Sequence, residues 1–501
     1  MHARRLRAHS GDNFNDEQLR MYIGRQEWQQ HPAGPAPAAS KPAAPAGGPL
    51  ASLYHRLCDG VPDDATRAEA AAFLRAELQV LANQPADLPE DPAHLVDWMQ
   101  AGSRDVHARY TAYLQERRDG APRRYFTSRA HALYTLRCVA PTKLVDGAWL
   151  YGLVRHWRNP RLSDLVRTYV EELGEGAVDK NHVVLYRRLL ARHALDPLDG
   201  LDDALYRQGL VQLALAWNAE QFLPEIAGFN LGYEQLPLHL LITAYELNEL
   251  GIDPYYFTLH VTVDNPDTGH ARRACQAVLD MLPRVADGGD FWRRVQAGSK
   301  LAGAGIGTTD VIGGFAIEQE VLRILRRKAG AGQGAHSDYC KVAGRAVNDW
   351  LASPHDMPKF LQALRDAGWI RLGEPAANSR FWKLLQGERA EMFGVFSSYE
   401  LQVIHDWIRG EGSCDGAPST EPGAAARRPT FRAMARNGLV AAEGADAAQL
   451  LDSEVEAFRL QLRKAGDEER EALLIEAMSP AAHWTPTGLD ATRQFWRSIT
   501  G

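Results

Sequence analysis

From Leu50 onward the chain repeats apolar residues at three- and four-residue spacing, and this period limits the folds open to it more than any motif does. ATRAEAAAFLRAELQVLAN (residues 65–83) is typical: Ala, Leu, Arg and Glu dominate, and one face of the implied helix is apolar. No stretch alternates apolar and polar residues as a half-buried strand does, and no repeat of fixed period emerges. Breaks are expected at Pro141, at the glycines of 174–176, at Pro224, at Pro237 and at Gly251, which divides residues 51–290 into about seven or eight helices. The expected fold class is all-α, with a bundle over residues 50–296 and a helical C-terminal extension over 297–409.

The flanks differ in composition. PAGPAPAASKPAAPAGGP (residues 32–49) holds almost only Pro, Ala, Gly and Ser, too little apolar surface to offset the entropy of ordering, so residues 1–49 read as a disordered arm. A glycine-rich stretch, AGSKLAGAGIGTTDVIGG (297–314), separates the bundle from the extension, whose clearest helical signal is NDWLASPHDMPKFLQALRDAGWI. Residues 410–430 read as a linker, and 431–501 as an amphipathic helical tail, charged around Val455 to Met478, that packs on the protein or meets a partner.

A net charge of -7, without a Lys/Arg block beyond the extreme N-terminus, gives no electrostatic footprint for nucleic acid or an anionic membrane surface. No run of about 18 apolar residues occurs, and no apolar segment follows Arg4, Arg5 and Arg7, so a cytoplasmic location is expected. Cys58, Cys138, Cys275, Cys340 and Cys414 stand far apart, as buried thiols rather than a zinc or iron–sulfur set. GAGIG (303–307) lacks the dinucleotide register and a preceding strand, and there is no Walker A lysine motif, GxSxG elbow or HExxH.

Chemistry concentrates in three segments. In YYFTLHVTVDNPDTGHARRA (255–274), His260, Asp264, Asp267 and His270 share one face of an idealised helix, although Pro266 and Gly269 interrupt it and predict a kink or bulge. A purely structural alternative has Asn265 capping a new helix from Pro266, with Asp267 in its first turn. In RTYVEELGEGAVDKNHVVLYRRLL, Glu172 and His182 flank a glycine-rich turn, with Glu171 as a neighbouring alternative. In AEQFLPEIAGFNLGYEQL, Glu225 and Glu234 stand nine residues apart. At about 100° per residue that is half a turn, so an undistorted helix aims only one of them at a shared point. His239, between leucines, reads as a core histidine. Carboxylates that bridge and neutralise two cations, with imidazoles filling further positions, are the donor set of a non-haem iron centre.

Taken with PTKLVDGAWL (141–150), these segments resemble the haem-oxygenase-like iron-dependent oxidases and oxygenases, the iron-containing redox enzymes, over roughly Pro141 to Ala274 and more weakly through NDWL, SRFWKLL and MFGVFSSYEL to about Arg409. The resemblance implies a haem-oxygenase-like helical bundle in which a non-haem diiron site replaces the haem, with two Fe(II) per chain and O2 as cosubstrate. It implies metal ligands at Glu172, His182, His260 and Asp264, with Asp146 as the first carboxylate, where many members carry glutamate. Glu225 is preferred over Glu234 for the third element. His270 lies six residues after Asp264 where many members place the histidine three later, at the position of Asp267, so both stay in the candidate set.

Such relatives oxidise or cleave amino acids, fatty acids or amine-bearing intermediates, many in natural-product pathways. A small-molecule substrate is therefore expected, with Trp149, Phe229, Tyr233 and Tyr256 as pocket walls; a homodimer is an open alternative to a monomer. Two other functions stay open on sequence: a metal-free helical binding or interaction protein on the same fold, and a haem-binding protein using one histidine.

Overall fold

The computed structural model describes residues 47–410 and 452–500, apart from 196–197, 199, 264–267, 285–287, 335, 338, 387–389 and 391. The arm before 47 and the expected linker after 410 lie outside the described residues, as does the first part of the tail.

The protein is all-α, as its periodicity dictates. Helices α1 (Pro49–Cys58), α2 (Asp64–Val80) and α3 (Leu95–Arg118) are followed by α4 (Arg129–Cys138), the short α5 (Ala140–Lys143) and a 3-10 segment, Ala148–His156. Then come α6 (Ser163–Glu172), α7 (His182–Arg192), α8 (Arg207–Trp217), α9 (Leu223–Tyr233), α10 (Leu238–Glu249), α11 (Tyr255–Val263), α12 (His270–Met281) and α13 (Gly288–Leu301). These helices are shorter and more numerous than the sequence breaks suggest, because polar caps such as Ser128 and Asn181 start helices that no Pro or Gly immediately precedes. The expected breaks all fall at helix boundaries: Pro141 and Pro224 in first turns, Pro237 as an N-cap, Gly251 with φ 66° just past α10.

Two differences have physical reasons. The stretch 255–274 is two helices, α11 ending at Val263 and α12 starting at His270, so His260 and His270 do not share one helical face. And α13 runs past the expected boundary at 296 to Leu301, because its small residues serve close packing. A Cβ on Gly298 would come within 2.1 Å of the Glu225 carbonyl oxygen, and one on Gly228 within 1.9 Å of the Val295 carbonyl oxygen. The α9 and α13 backbones touch where the glycines face them.

Beyond α13 lie α14 (Thr308–Gly313), α15 (Ile317–Gly332), a minimal antiparallel hairpin of β1 (Lys341–Val342) and β2 (Arg345–Ala346), then α16 (Val347–Leu351), α17 (Met357–Asp366), α18 (Arg380–Gln386) and α19 (Ser398–Arg409). After the undescribed stretch come α20 (Ser453–Lys464), α21 (Asp467–Ala477) and α22 (Pro486–Thr500). Apolar side chains bury in two main cores. One joins α1, α2, α6, α8, α9, α12 and α13 with Leu462, Leu474, Met478 and Phe495 of the C-terminal helices. The other joins α4, α7, α10 and α11 with α14 to α19. The polar centre described next lies at their seam: Leu173, after Glu172, and Ala271, after His270, belong to the first core, and Tyr256, one turn before His260, to the second. No described helix is long and apolar enough to cross a membrane. Among the described cysteines, Cys58, Cys138, Cys275 and Cys340 are free thiols.

Candidate metal centre

Six buried side chains from six places in the sequence converge here. Asp146, Glu172, His182 and His260 form one group whose facing atoms lie within 4.8 Å of one another; Glu172, Glu234 and His270 form a second on the same terms. Glu172 belongs to both, and its two oxygens divide between them: Oε2 is 2.5 Å from His182 Nδ1, and Oε1 is 3.1 Å from His270 Nδ1.

Local structure accounts for each position. Asp146 follows α5 in a turn closed by Gly147 at φ 81°, and a Cβ there would come within 2.9 Å of the Glu172 Cβ, so glycine lets the two carboxylates approach. Glu172 ends α6, and the turn 174–176, with φ of 66° and 84° at Gly174 and Gly176, reverses the chain so that His182 can open α7 beside it. Glu234 sits directly after α9 as its C-cap. Half a turn away, Glu225 does not face the centre. Its carboxylate accepts from Nε and Nη2 of Arg294 on α13, at 2.7 and 2.6 Å, which corrects the sequence preference: a first-turn glutamate points where α9 meets α13. Asp264 and Asp267 lie outside the described residues. His239 lines a neighbouring cavity without joining either group, its imidazole pushed down to about 4 by burial and by Lys143.

The surroundings fix which imidazole nitrogens face inward. His260 Nδ1 lies 2.8 Å from the Tyr256 carbonyl, which only accepts, so Nδ1 carries the proton and Nε2 turns to Asp146 at 3.3 Å. His270 Nε2 donates to Glu171 at 3.1 Å, which leaves Nδ1 toward Glu172 and, at 3.2 Å, Glu234. A metal-ligating histidine is commonly oriented by such an acceptor on its far nitrogen. Glu171 is itself held by Arg273 and Arg167. Burial alone would raise the Glu171 carboxyl, but Arg273, His270 and Arg167 hold it far below the usual range.

Charge is concentrated here and its hydrogen bonding is incomplete. Burial opposes ionisation of Asp146, yet Lys143 and His260 hold its carboxyl below the usual value; for Glu172, burial is likewise overcome by His182 and His270. Tyr256 donates to Asp146 Oδ2 at 2.5 Å, while Asp146 Oδ1 is buried without a hydrogen-bond partner. His182 Nδ1, close as it is to Glu172, lacks hydrogen-bond geometry to it. A buried acceptor and a buried ring nitrogen left so cost about 1–3 kcal/mol each unless something fills the space between them. Divalent cations do that, and a carboxylate–imidazole donor set suits iron.

Residues 133–303 match the family model of the iron-containing redox enzymes. The matched segment contains all six converging side chains and supports an iron-dependent redox function for this chain. Neither the curated proteins nor the solved structures gave a match to it.

Sequence reasoning treated Tyr256 as a pocket wall and overlooked Lys143; Tyr256 hydrogen-bonds Asp146, and Lys143 lines the cavity beside the centre. Lys143 lies in the quoted PTKLVDGAWL motif; an i, i+4 pairing of Tyr256 with His260 was the signal for the other. Trp149 and Tyr233 do line the cavity, whereas Phe229 stacks behind Tyr233 with ring centroids 5.3 Å apart.

Proposed function

We propose that the protein is a non-haem diiron oxidase or oxygenase that uses dioxygen to oxidise a small organic substrate. The observation that carries this reading is the division of the Glu172 carboxylate between two clusters, each completed by carboxylate and imidazole. Asp146, His182 and His260 would hold one iron, Glu234 and His270 the other, with Glu172 shared. When bound, such a pair supplies two-electron chemistry toward dioxygen and open positions for it.

The protein's own groups set the conditions. Asp146, Glu172 and Glu234 bring negative charge that two Fe(II) ions would neutralise. Tyr256 and the Tyr256 carbonyl fix Asp146 and His260, and Glu171 fixes His270. Beside them a cavity of about 250 Å³ is bounded by Asp146, Glu172, Glu234 and His260 on the metal side and by Lys143 and Gln208 elsewhere. Lys143 is held protonated: burial works against its charge, but Asp146 and Tyr233 outweigh it. Its ammonium, 3.4 Å from the Tyr233 hydroxyl, favours a substrate with an anionic or strongly accepting group. Three carboxylates among the histidines suit hard cations better than a haem, whose iron asks for an axial ligand and an apolar slot.

Anaerobic titration with Fe(II) is expected to load two ions per chain, and admission of air to consume dioxygen with a transient visible absorption. Failure to take up Fe(II), or a haem absorption band in the isolated protein, would overturn the proposal.

A further inference from the structure

The C-terminal helices lie outside the matched segment, yet they reach the back of the metal centre. His483, between α21 and α22, is 1% exposed and lies 302 positions beyond the residue it meets, Asn181. Asn181, wholly buried, does three things at once. Its Oδ1 accepts from Val184 N at 3.0 Å and so caps the helix that begins with His182. Its Nδ2 donates to the Leu173 carbonyl at 3.2 Å, next to Glu172. The same Nδ2 lies 3.3 Å from His483 Nδ1 and 3.4 Å from the His483 carbonyl. The backbones that carry Glu172 and His182 are thus joined through one amide whose remaining contacts belong to His483.

The surrounding packing holds this arrangement from both sides. Tyr169 donates to the Met478 carbonyl at 2.5 Å, and Arg493 donates to the Gly176 carbonyl at 3.0 Å. A Cβ on Gly176 would come within 2.4 Å of the Leu489 carbonyl, and one on Gly488 within 2.5 Å of the His483 Cα, so the turn after Glu172, α22 and His483 fit with no space to spare. The Arg187 guanidinium of α7 lies 3.7 Å over the Trp484 ring. Asn181 Nδ2 can only donate, so the His483 Nδ1 that faces it accepts, and burial, reinforced by Arg187, pushes the His483 imidazole down to about 3.

We infer that His483 is a positioning residue of the metal centre, through which the C-terminal helices set the spacing between Glu172 and His182. This rests on the proposed metal function, but it concerns ligand placement and not the reaction. Groups that hydrogen-bond a ligand directly contribute about 10- to 100-fold to metal affinity, and His483, acting one residue further out through Asn181, belongs at the lower end of that range.

The test is a Co(II) titration followed by visible absorption, read beside the melting temperature of the metal-free protein, on the full chain. His483→Leu is expected to weaken at least one Co(II) by about tenfold or more and alter its ligand-field band. His483→Asn, which keeps a polar group near the Nδ1 position, should restore most of the affinity. Glu471→Gln, which loosens the same helices far from the centre where Glu471 binds Arg158 and Trp157, should bind Co(II) as the unaltered protein does. If His483→Leu does not fold, His483→Gln takes its place, since its polar atoms sit nearer the Nε2 position and should not rescue. Unchanged binding in His483→Leu or its replacement, or an equal loss in Glu471→Gln, would overturn the inference alone. Absence of Co(II) binding by the unaltered protein would overturn it together with the metal reading.

Discussion

Glu246 and Glu172 are both buried glutamates in helical surroundings, and their partners differ in kind. Glu246 accepts from the Tyr113 hydroxyl at 2.8 Å and from the backbone amides of Arg124, Tyr125 and Phe126 at 2.5, 3.0 and 2.9 Å. Protein donors satisfy it, and it pins the 124–126 loop to α10. Glu172 faces imidazoles that also face other carboxylates, beside an Asp146 oxygen with no donor. A carboxylate surrounded by donors is a structural element; one surrounded by other acceptors and ring nitrogens is half of a site whose positive charge comes from elsewhere.

That contrast yields opposite outcomes for similar substitutions. Glu172→Ala is expected to weaken Fe(II) binding at both positions by at least about a hundredfold, while metal-free stability falls by only about 1 kcal/mol, because its charge is offset by two imidazoles rather than by backbone amides that would be left bare. Glu246→Ala should do the reverse: denaturant unfolding should show a loss on the order of 3 kcal/mol from the donors left bare, with iron stoichiometry in the folded protein unchanged. Next in size, His260→Ala should cost one of the two ions and spare the other, because only the first cluster contains it; calorimetric titration would show one binding step in place of two. Arg273→Gln is expected to keep both ions and weaken the second by about tenfold, through the Glu171 that orients His270.

The smallest effect is on pH dependence. Asp146, Glu171 and Glu172 have carboxyls held below their ordinary values of 3.8 and 4.5 in the folded state. Their contribution to metal-free stability is therefore full above the ordinary range and lost as pH falls through the lower folded values. Melting temperatures should decline below about pH 4.5 and hold above it, and Glu171→Gln should flatten that decline; an unchanged acid limb would contradict the charge arrangement around His270.

Much of this was legible in the sequence where local rules decide the outcome. Helical period and breakers gave the all-α class and boundaries such as Pro224 and Gly251. The half-turn rule separated Glu225 from Glu234, although it does not say which one faces inward; that depends on where Arg294 lies, in a helix many residues later. For 255–274 the single-face reading does not hold, since one helix ends at Val263 and another starts at His270; the alternative of a second helix, which Pro266 and Gly269 also suggested, is nearer to what forms. Least legible was His483, whose contact with Asn181 spans 302 positions and leaves no periodic trace.

Anomalous diffraction at the iron edge, on crystals soaked anaerobically with Fe(II), tests the shared role of Glu172 most directly. Two peaks about 4 Å apart are expected, one beside His182 and His260, the other beside His270 and Glu234, with the Glu172 carboxylate between them. A single peak, or iron bound away from Glu172, would contradict it.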